Sequence, residues 1–251
     1  MLDERRARIV EIVNKKGTVS FSTLMSMFPE VSEMTLRKDL KSLDAARKIV
    51  RIHAGARSLD TIHGSDAPLE QRLGQNIEKK QQIARKARAL IEENAAIFLD
   101  SGSTMTALAR QFPDIPCTVF TGGLSCATEL SSLKNPEIYL LGGRLNKGSL
   151  SVRDTRLAQE LADVYFDIAF IAVNGFSMEN GFCCKSASRW EMERAVIRRS
   201  AKAVVLMDSS KEGKIRTFSI CGAEQIDTLV SDDGLRQETR AYLEQRGVDV
   251  L

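Results

Sequence analysis

Two groups of residues have the types and spacings to act on a ligand. The first begins with Asp100-Ser101-Gly102-Ser103-Thr104, a small hydroxyl-rich stretch directly after the apolar run at 97–99. A strand that ends in such a loop and opens into a helix leaves backbone N–H groups available. The helix dipole and the hydroxyls of Ser101, Ser103 and Thr104 then favour an anion such as phosphate. A plain strand-to-helix turn would use the same residues, so the loop gains weight only from its companions. Thr121-Gly122-Gly123 and Gly142-Gly143-Arg144 follow two further apolar runs, and paired glycines let the backbone approach a ligand closely. Asn174-Gly175 and Asp208-Ser209-Ser210-Lys211 follow two more, adding an amide, a carboxylate and a cation. Phosphate at one end and hydroxyl-reading groups at the other describe a pocket for a phosphorylated sugar or polyol. Lys211 is placed to meet the phosphate or a sugar oxygen, and Asp208 to accept from sugar hydroxyls.

The second group lies at residues 32–43. Leu36, Leu40 and Leu43 fall at the four-and-three spacing of one apolar helix face, which turns Thr35, Arg37, Lys38 and Lys41 away from it. Ser32 stands where an N-cap is wanted. A solvated basic face is the ordinary reading of such a helix, and its surroundings argue for more. Residues 4–16 and 20–28 read as two preceding helices, the first stopped by Gly17. Residues 48–57 alternate basic and apolar side chains before a glycine, as a small β-ribbon does, and carry Arg51 and His53. Three helices and a basic ribbon make a winged helix-turn-helix. In that frame Lys38, Lys41 and Arg51 contact phosphates of double-stranded DNA, while Thr35 and Arg37 face base edges in the major groove. Through Arg57 there are 12 Lys plus Arg against 7 Asp plus Glu, +5; the remainder, 24 against 26, is −2, and the whole is +3. The positive charge is concentrated where the motif lies.

These groups need elements to hold them. Residues 1–57 form the winged helix-turn-helix domain, 58–75 a linker with a short helical piece at 69–73, and 76–251 a second domain. There a helix is expected over 77–93, followed by apolar runs at 97–99, 118–120, 138–141, 168–173, 203–207 and 228–230. Helical stretches at 104–111, 125–132, 156–162, 188–200 and 235–246 separate them. That alternation predicts an α/β domain with a mostly parallel sheet, and in such sheets ligands bind outside the carboxyl ends of the strands.

Composition narrows the classes. The chain has 251 residues, 43% of them hydrophobic, enough for globular domains rather than a disordered tract. The apolar runs are too short to cross a bilayer and the N-terminus is charged, so no membrane association and a cytoplasmic location are expected. Five cysteines include the adjacent Cys183-Cys184, and His53 and His63 are the only imidazoles. No metal-ligand spacing emerges, so the thiols read as reduced core residues and neither metal nor cofactor is expected.

The core Thr35-Leu36-Arg37-Lys38-Asp39-Leu40, preceded by Val31-Ser32 and followed by Arg51-Ile52-His53-Ala54-Gly55-Ala56, resembles the N-terminal domain of the DeoR family of bacterial transcriptional regulators. Asp100-Ser101-Gly102-Ser103-Thr104, Leu141-Gly142-Gly143-Arg144, Val173-Asn174-Gly175 and Asp208-Ser209-Ser210-Lys211 follow in the order of that family's sugar-sensing domain. The resemblance implies a Rossmann-like sensor domain similar to ribose-5-phosphate isomerase, with sugar phosphates as inducers. It also implies a repressor of a carbohydrate-utilisation operon that works as a homodimer or tetramer. The chain departs from the family at Phe28-Pro29-Glu30-Val31, a turn one residue longer than usual. It departs again at Thr121-Gly122-Gly123 in place of Thr-Asn-Ser, and at Cys183-Cys184 in place of Thr-Thr. A rival reading is a phosphosugar isomerase with an appended basic domain, casting Asp208, Glu191 and Lys211 in acid-base roles. No second carboxylate is paired after the same strand, and such catalysis has no use for a basic reading helix.

Overall fold

Leucines four and three apart close a small core in the first of two units. The computed structural model describes residues 2–16, 18–46, 48–52, 55–57, 67–154 and 156–251. The first unit, Met1–Ala67, holds α1 (Leu2–Lys16), β1 (Thr18–Ser20), α2 (Phe21–Met27), α3 (Glu33–Ala45), β2 (Val50–Ile52) and β3 (Gly55–Arg57). Leu36, Leu40 and Leu43 of α3 are buried with Ile9 and Val13 of α1, Leu24 of α2, and Phe28, Val31 and Ile49. The strands pair antiparallel in the order β1-β3-β2, so the expected ribbon gains a third strand from residues 18–20.

The second unit is Pro68–Leu251, so residues 68–75, read from the sequence as the end of the linker, lie inside it. It opens with α4 (Leu69–Leu73) and α5 (Ile77–Arg88). The helix expected over 77–93 stops at Arg88 because Ala89, Leu90 and Ile91 bond to carbonyls three residues back, which tightens the last turn. There follow β4 (Ala96–Leu99), α6 (Ser103–Ala109), β5 (Thr118–Thr121), α7 (Leu124–Leu130), β6 (Glu137–Leu140), β7 (Arg144–Asn146), β8 (Ser151–Arg153), α8 (Leu157–Glu160) and β9 (Phe166–Ala172). The chain continues through β10 (Gly175–Ser177), β11 (Gly181–Cys184), α9 (Ala187–Arg198), β12 (Ser200–Leu206), β13 (Phe218–Cys221), β14 (Thr228–Val230), α10 (Gln237–Glu244) and β15 (Asp249–Val250).

Seven strands form one parallel sheet in the order β15-β14-β12-β9-β4-β5-β6. Side chains alternate between its faces. Ile97, Leu99, Ile168, Phe170, Val204 and Leu206 pack on one side with Ile83, Ala84 and Leu108, and Phe98, Ala169, Ile171, Ala203 and Val205 pack on the other with Leu157, Met192 and Val196. The chain runs outward from β4 to β5 and β6, then returns to place β9 on the other side of β4. The boundary between β4 and β9 is therefore the topological switch point, where a crevice opens at the carboxyl ends. Hairpin β7–β8 and the antiparallel sheet β10-β11-β13 stand outside this frame. Their three- and four-residue strands are too short to show in the sequence pattern, and in β11 all four residues are buried, so no alternation marks them.

Candidate effector site and nucleic-acid interface

Helix α3 begins at Ser32, whose hydroxyl accepts the Thr35 N–H at 3.2 Å and bonds the Thr35 hydroxyl at 2.8 Å. Lys38 and Lys41 are exposed on its outer side. Arg37 is also exposed, but its guanidinium is held over the Phe21 ring, 4.5 Å from the centroid, and paired with Glu33 one turn earlier at 2.7 Å. Arg51 lies exposed on β2, its N–H donated to Asp44. His53 falls outside the described residues. The one acidic side chain on the buried face is Asp39, 1% exposed. Its two oxygens accept from Arg5 Nε at 2.7 Å and Arg6 Nε at 2.8 Å, which ties α1 to α3. Burial raises the Asp39 carboxyl, and the hydrogen bonds and charges of the two arginines outweigh it, so the group sits below the ordinary carboxylate range.

In the second unit Asp100 ends β4 at the switch point, fully buried. Its Oδ1 accepts the Ser101 N–H at 2.7 Å, and its Oδ2 accepts the Ala172 N–H at 3.0 Å and Arg189 Nη2 at 2.9 Å. The carboxylate therefore ties β4 to β9 and to α9 beneath the loop. Arg189 Nη2 also donates to Ala172 O at 2.8 Å and meets Glu193 at 2.5 Å. Glu193 is wholly buried, and that burial pushes its carboxyl well above its usual value; Arg189 opposes the shift and Asp100 adds to it.

Above this strut, Ser101, Gly102 and Ser103 are buried and Thr104 is half-buried. Gly102 takes φ 117° at the start of α6 and offers no side-chain cap, whereas α2 and α3 are each closed by a serine hydroxyl. Gly123 lies against Ser101, with only 3.2 Å between the place of a Cβ and Ser101 Cα, so the loops after β4 and β5 touch. Thr121 is buried and its hydroxyl accepts the Gly123 N–H at 3.0 Å. Gly142, Gly143 and Arg144 are exposed at the base of hairpin β7–β8. That hairpin returns over the β5 loop through Val152 N–H to Gly122 O and Leu124 N–H to Leu150 O, both 2.8 Å. Asn174 is buried, its N–H donated to Cys183 O at 2.8 Å.

The fourth loop is joined to the others by residues the sequence reading did not single out. Asp208 is buried and accepts from Asn76 Nδ2 at 3.2 Å, from the Ser210 N–H at 3.1 Å and from the Ser210 hydroxyl. Lys79 donates to the Ser209 hydroxyl at 2.5 Å and pairs with Asp232 at 3.2 Å. Lys80 is buried and donates to the carbonyls of Arg72 and Gln75. Burial lowers its ammonium to about 8; Asp208 works against that shift, and Lys211 and Arg72 add to it. Arg72 and Lys211 thus add their positive charge to that of Lys80 in one neighbourhood. Arg72 and Lys80 were hidden in a stretch read as linker and the start of a helix. The signal for Arg189 and Glu193 was present as an i, i+4 charged pair beside the apolar Met192 and Val196. Glu191 lies on the opposite side of α9, exposed in a groove of about 600 Å³ with Trp190, Arg194 and Arg198. All five cysteines are buried and free, and burial pushes the thiols of Cys126 and Cys221 up to about 12. Among the described residues no cluster of His, Cys, Asp and Glu could hold a metal ion, and no helix is long and apolar enough to cross a membrane.

A capped basic helix on a small three-helix core, followed by a doubly wound sheet with cations at its switch point, defines a helix-turn-helix regulator with an appended α/β domain. Residues 5–62 match the DeoR-like helix-turn-helix domain and residues 75–233 the DeoR C terminal sensor domain. The chain belongs to the DeoR family of DNA-binding transcriptional regulators. It is 31% identical to the HTH-type transcriptional regulator GolR of Listeria innocua, over 98% of this chain and 97% of that one. It is 30% identical to the lactose phosphotransferase system repressor of Streptococcus mutans, over 96% and 98%. Both are named as regulators of transcription rather than as enzymes. Among solved structures, ribose 5-phosphate isomerase A of Methanocaldococcus jannaschii aligns over 55% of each chain with 19% identity and a TM-score of 0.40.

Proposed function

We propose that this chain represses an operon for carbohydrate use and is released from its operator by a phosphorylated sugar or polyol bound at the β4–β9 switch point. The observation that carries the reading is Arg72, set beside Gly102 in a hydroxyl-rich loop whose helix start has no side-chain cap, with Lys80 and Lys211 adding positive charge next to that arginine or its brace. Cations and uncapped amides favour a phosphate, and Thr121, Asn174 and the Asp208–Lys211 loop supply groups suited to sugar hydroxyls. The name of the lactose phosphotransferase system repressor points to the same kind of regulon.

On the DNA side, Lys38, Lys41 and Arg51 contact phosphates and fix register, and Thr35 and Arg37 read base edges. Symmetric half-sites call for a homodimer or higher even-numbered assembly. The effector acts by binding more tightly to an arrangement of subunits that spaces the reading helices wrongly, and the shift cannot exceed that difference in affinity.

A thermal-shift screen of pentose and hexose phosphates, paired with band-shift assays on the DNA upstream of the chain's own gene, tests the reading. Arg37→Ala should weaken operator binding by about 1–3 kcal/mol and leave effector-induced stabilisation intact. Ser103→Glu should do the reverse, placing a carboxylate where the phosphate belongs and giving a repressor that no longer releases. Equal loss of both activities in either variant, or measurable turnover of any sugar phosphate, would sink it.

A further inference from the structure

The first segment of the second unit touches two of the loops around the crevice and the hairpin that covers a third. Leu69 donates its N–H to Gly148 O at 2.7 Å, at the tip of hairpin β7–β8. Arg72 Nη1 lies 3.4 Å from the point a Cβ on Gly102 would occupy. Asn76 and Lys79 hold the loop after β12 through Asp208, Ser210 and Ser209. Residues 69–80 therefore bond or pack against the β4 loop, the β12 loop and the hairpin that covers the β5 loop. The same residues are the first that the chain forms after leaving the DNA-binding unit.

We propose that Arg72 meets the anionic group of the effector across Gly102, and that segment 69–80 carries ligand occupancy to the junction with the DNA-binding unit. This rests on the proposed function and names the residue through which it works. Gly102, with φ 117° and no side chain, leaves the guanidinium open access to the loop. A planar guanidinium can give a phosphate two parallel N–H bonds, which an ammonium cannot. Lys80 supplies the aim. Its ammonium is bound to the carbonyls of Arg72 and Gln75, so the turn that carries Arg72 is set before ligand arrives and little ordering remains. Helix α4 has five residues and no side-chain cap, and it is held by the buried Leu69, the Leu69–Gly148 bond and the Lys80 brace. An anion that draws in Arg72 acts directly on the residues next to the exit. By linkage, operator binding must alter anion affinity by the same factor.

The test uses the full-length protein, with inorganic phosphate and the best sugar phosphate from the screen as probes, titrated calorimetrically. Arg72→Ala should lower affinity for both by about tenfold or more, the worth of a charge-assisted hydrogen-bond pair. Operator affinity without effector should stay within about twofold. Arg72→Lys should recover part of the loss, and Arg72→Gln serves if the alanine variant fails to fold. Saturating ligand should slow hydrogen exchange across residues 69–80 in the wild type and not in Arg72→Ala. A merely structural arginine would lower thermal stability while leaving phosphate affinity and the exchange response of the folded fraction unchanged, and that result overturns the inference. Wild-type protein that no phosphorylated sugar stabilises overturns the proposed function and this inference with it. Wild-type protein that binds while Arg72→Ala binds equally well overturns only the role of Arg72.

Discussion

Each unit buries an aspartate against arginine, with opposite charge balance. In the DNA-binding unit Asp39 faces two guanidinium groups, Arg5 and Arg6, at 2.7 and 2.8 Å. In the sensor unit one guanidinium, Arg189, serves both Asp100 and Glu193, at 2.9 and 2.5 Å. The excess around Asp39 is positive and reaches water, because the arginine side chains are 22% and 27% exposed. The excess around Arg189 is negative and dry, both carboxyls being fully buried. The first arrangement is a lock that keeps α3 fixed on α1. In the second, burial together with the neighbouring Asp100 outweighs the one cation, and Glu193 keeps its proton to a higher pH. A strained network directly under the Ser101–Thr104 loop is what a responsive site has, and a satisfied one under a reading helix is what a rigid tool has.

The sharpest way to break this contrast is to remove the shared cation. Arg189→Met strands Asp100 and Glu193 in the interior and should destabilise the sensor unit by about 3–5 kcal/mol at neutral pH. Trp190, the only tryptophan of the chain, reports that transition by fluorescence in a urea titration. A loss below about 1 kcal/mol would mean that the arginine is not the partner holding these carboxyls, and the two networks would not differ in kind.

Asp39→Asn should cost less, about 2–3 kcal/mol in the DNA-binding unit, because Arg5 and Arg6 can turn toward water once released. The pH dependence has a definite sign. Asp39 is held below its usual value, so between its folded value and about 3.8 the unfolded chain binds the extra proton. Its contribution is complete above about pH 4 and is lost as the pH falls through the folded value. Acid titration followed by circular dichroism should therefore show the wild type losing its advantage over Asp39→Asn below pH 4, with the Trp190 signal of the other unit indifferent to the substitution. A gap between the two proteins that stays constant down to strongly acid pH would remove the lock from the comparison.

Legibility followed the same divide. Leu36, Leu40, Leu43 and the Ser32 cap were readable because a helix face obeys a short local period, and all four lie where that period puts them. The parallel sheet was readable from its apolar runs, and the loops after β4, β5, β9 and β12 from residues that follow a strand in sequence. What escaped needed contacts across long separations. Asp39 stood in the quoted motif without a role, because its partners are more than 30 residues away. Arg72 looked like linker, since only the folded chain brings it to Gly102. Nothing in the local sequence separates the buried Arg189 from the exposed Glu191, since a polar side chain on a helix reads as solvated until something shows which side is buried. The Gly142-Gly143-Arg144 turn read as a strand-end loop like the others, but a hairpin follows it, and its three residues lie exposed at the hairpin's base.

The smallest effect discriminates best between a strained network and a satisfied one. Glu193→Gln keeps the shape and removes the titration, so it should stabilise the sensor unit at neutral pH, by on the order of 1 kcal/mol. The raised carboxyl dictates how that gain depends on pH. Between about 4.5 and its folded value, Glu193 holds a proton in the folded chain and has lost it in the unfolded chain, so wild-type stability falls as pH rises through that window. The glutamine variant has no such term. Its advantage should be smallest below about pH 4.5, where Glu193 is protonated in both states, and should grow toward neutrality, as measured by Trp190 fluorescence in urea at a series of pH values. Asp39→Asn runs the other way, since its deficit is smallest in acid and fullest near neutrality. If Glu193→Gln instead weakened the sensor unit at pH 7, Arg189 would be satisfying both carboxylates in full, and the difference in charge balance would carry no difference in energy.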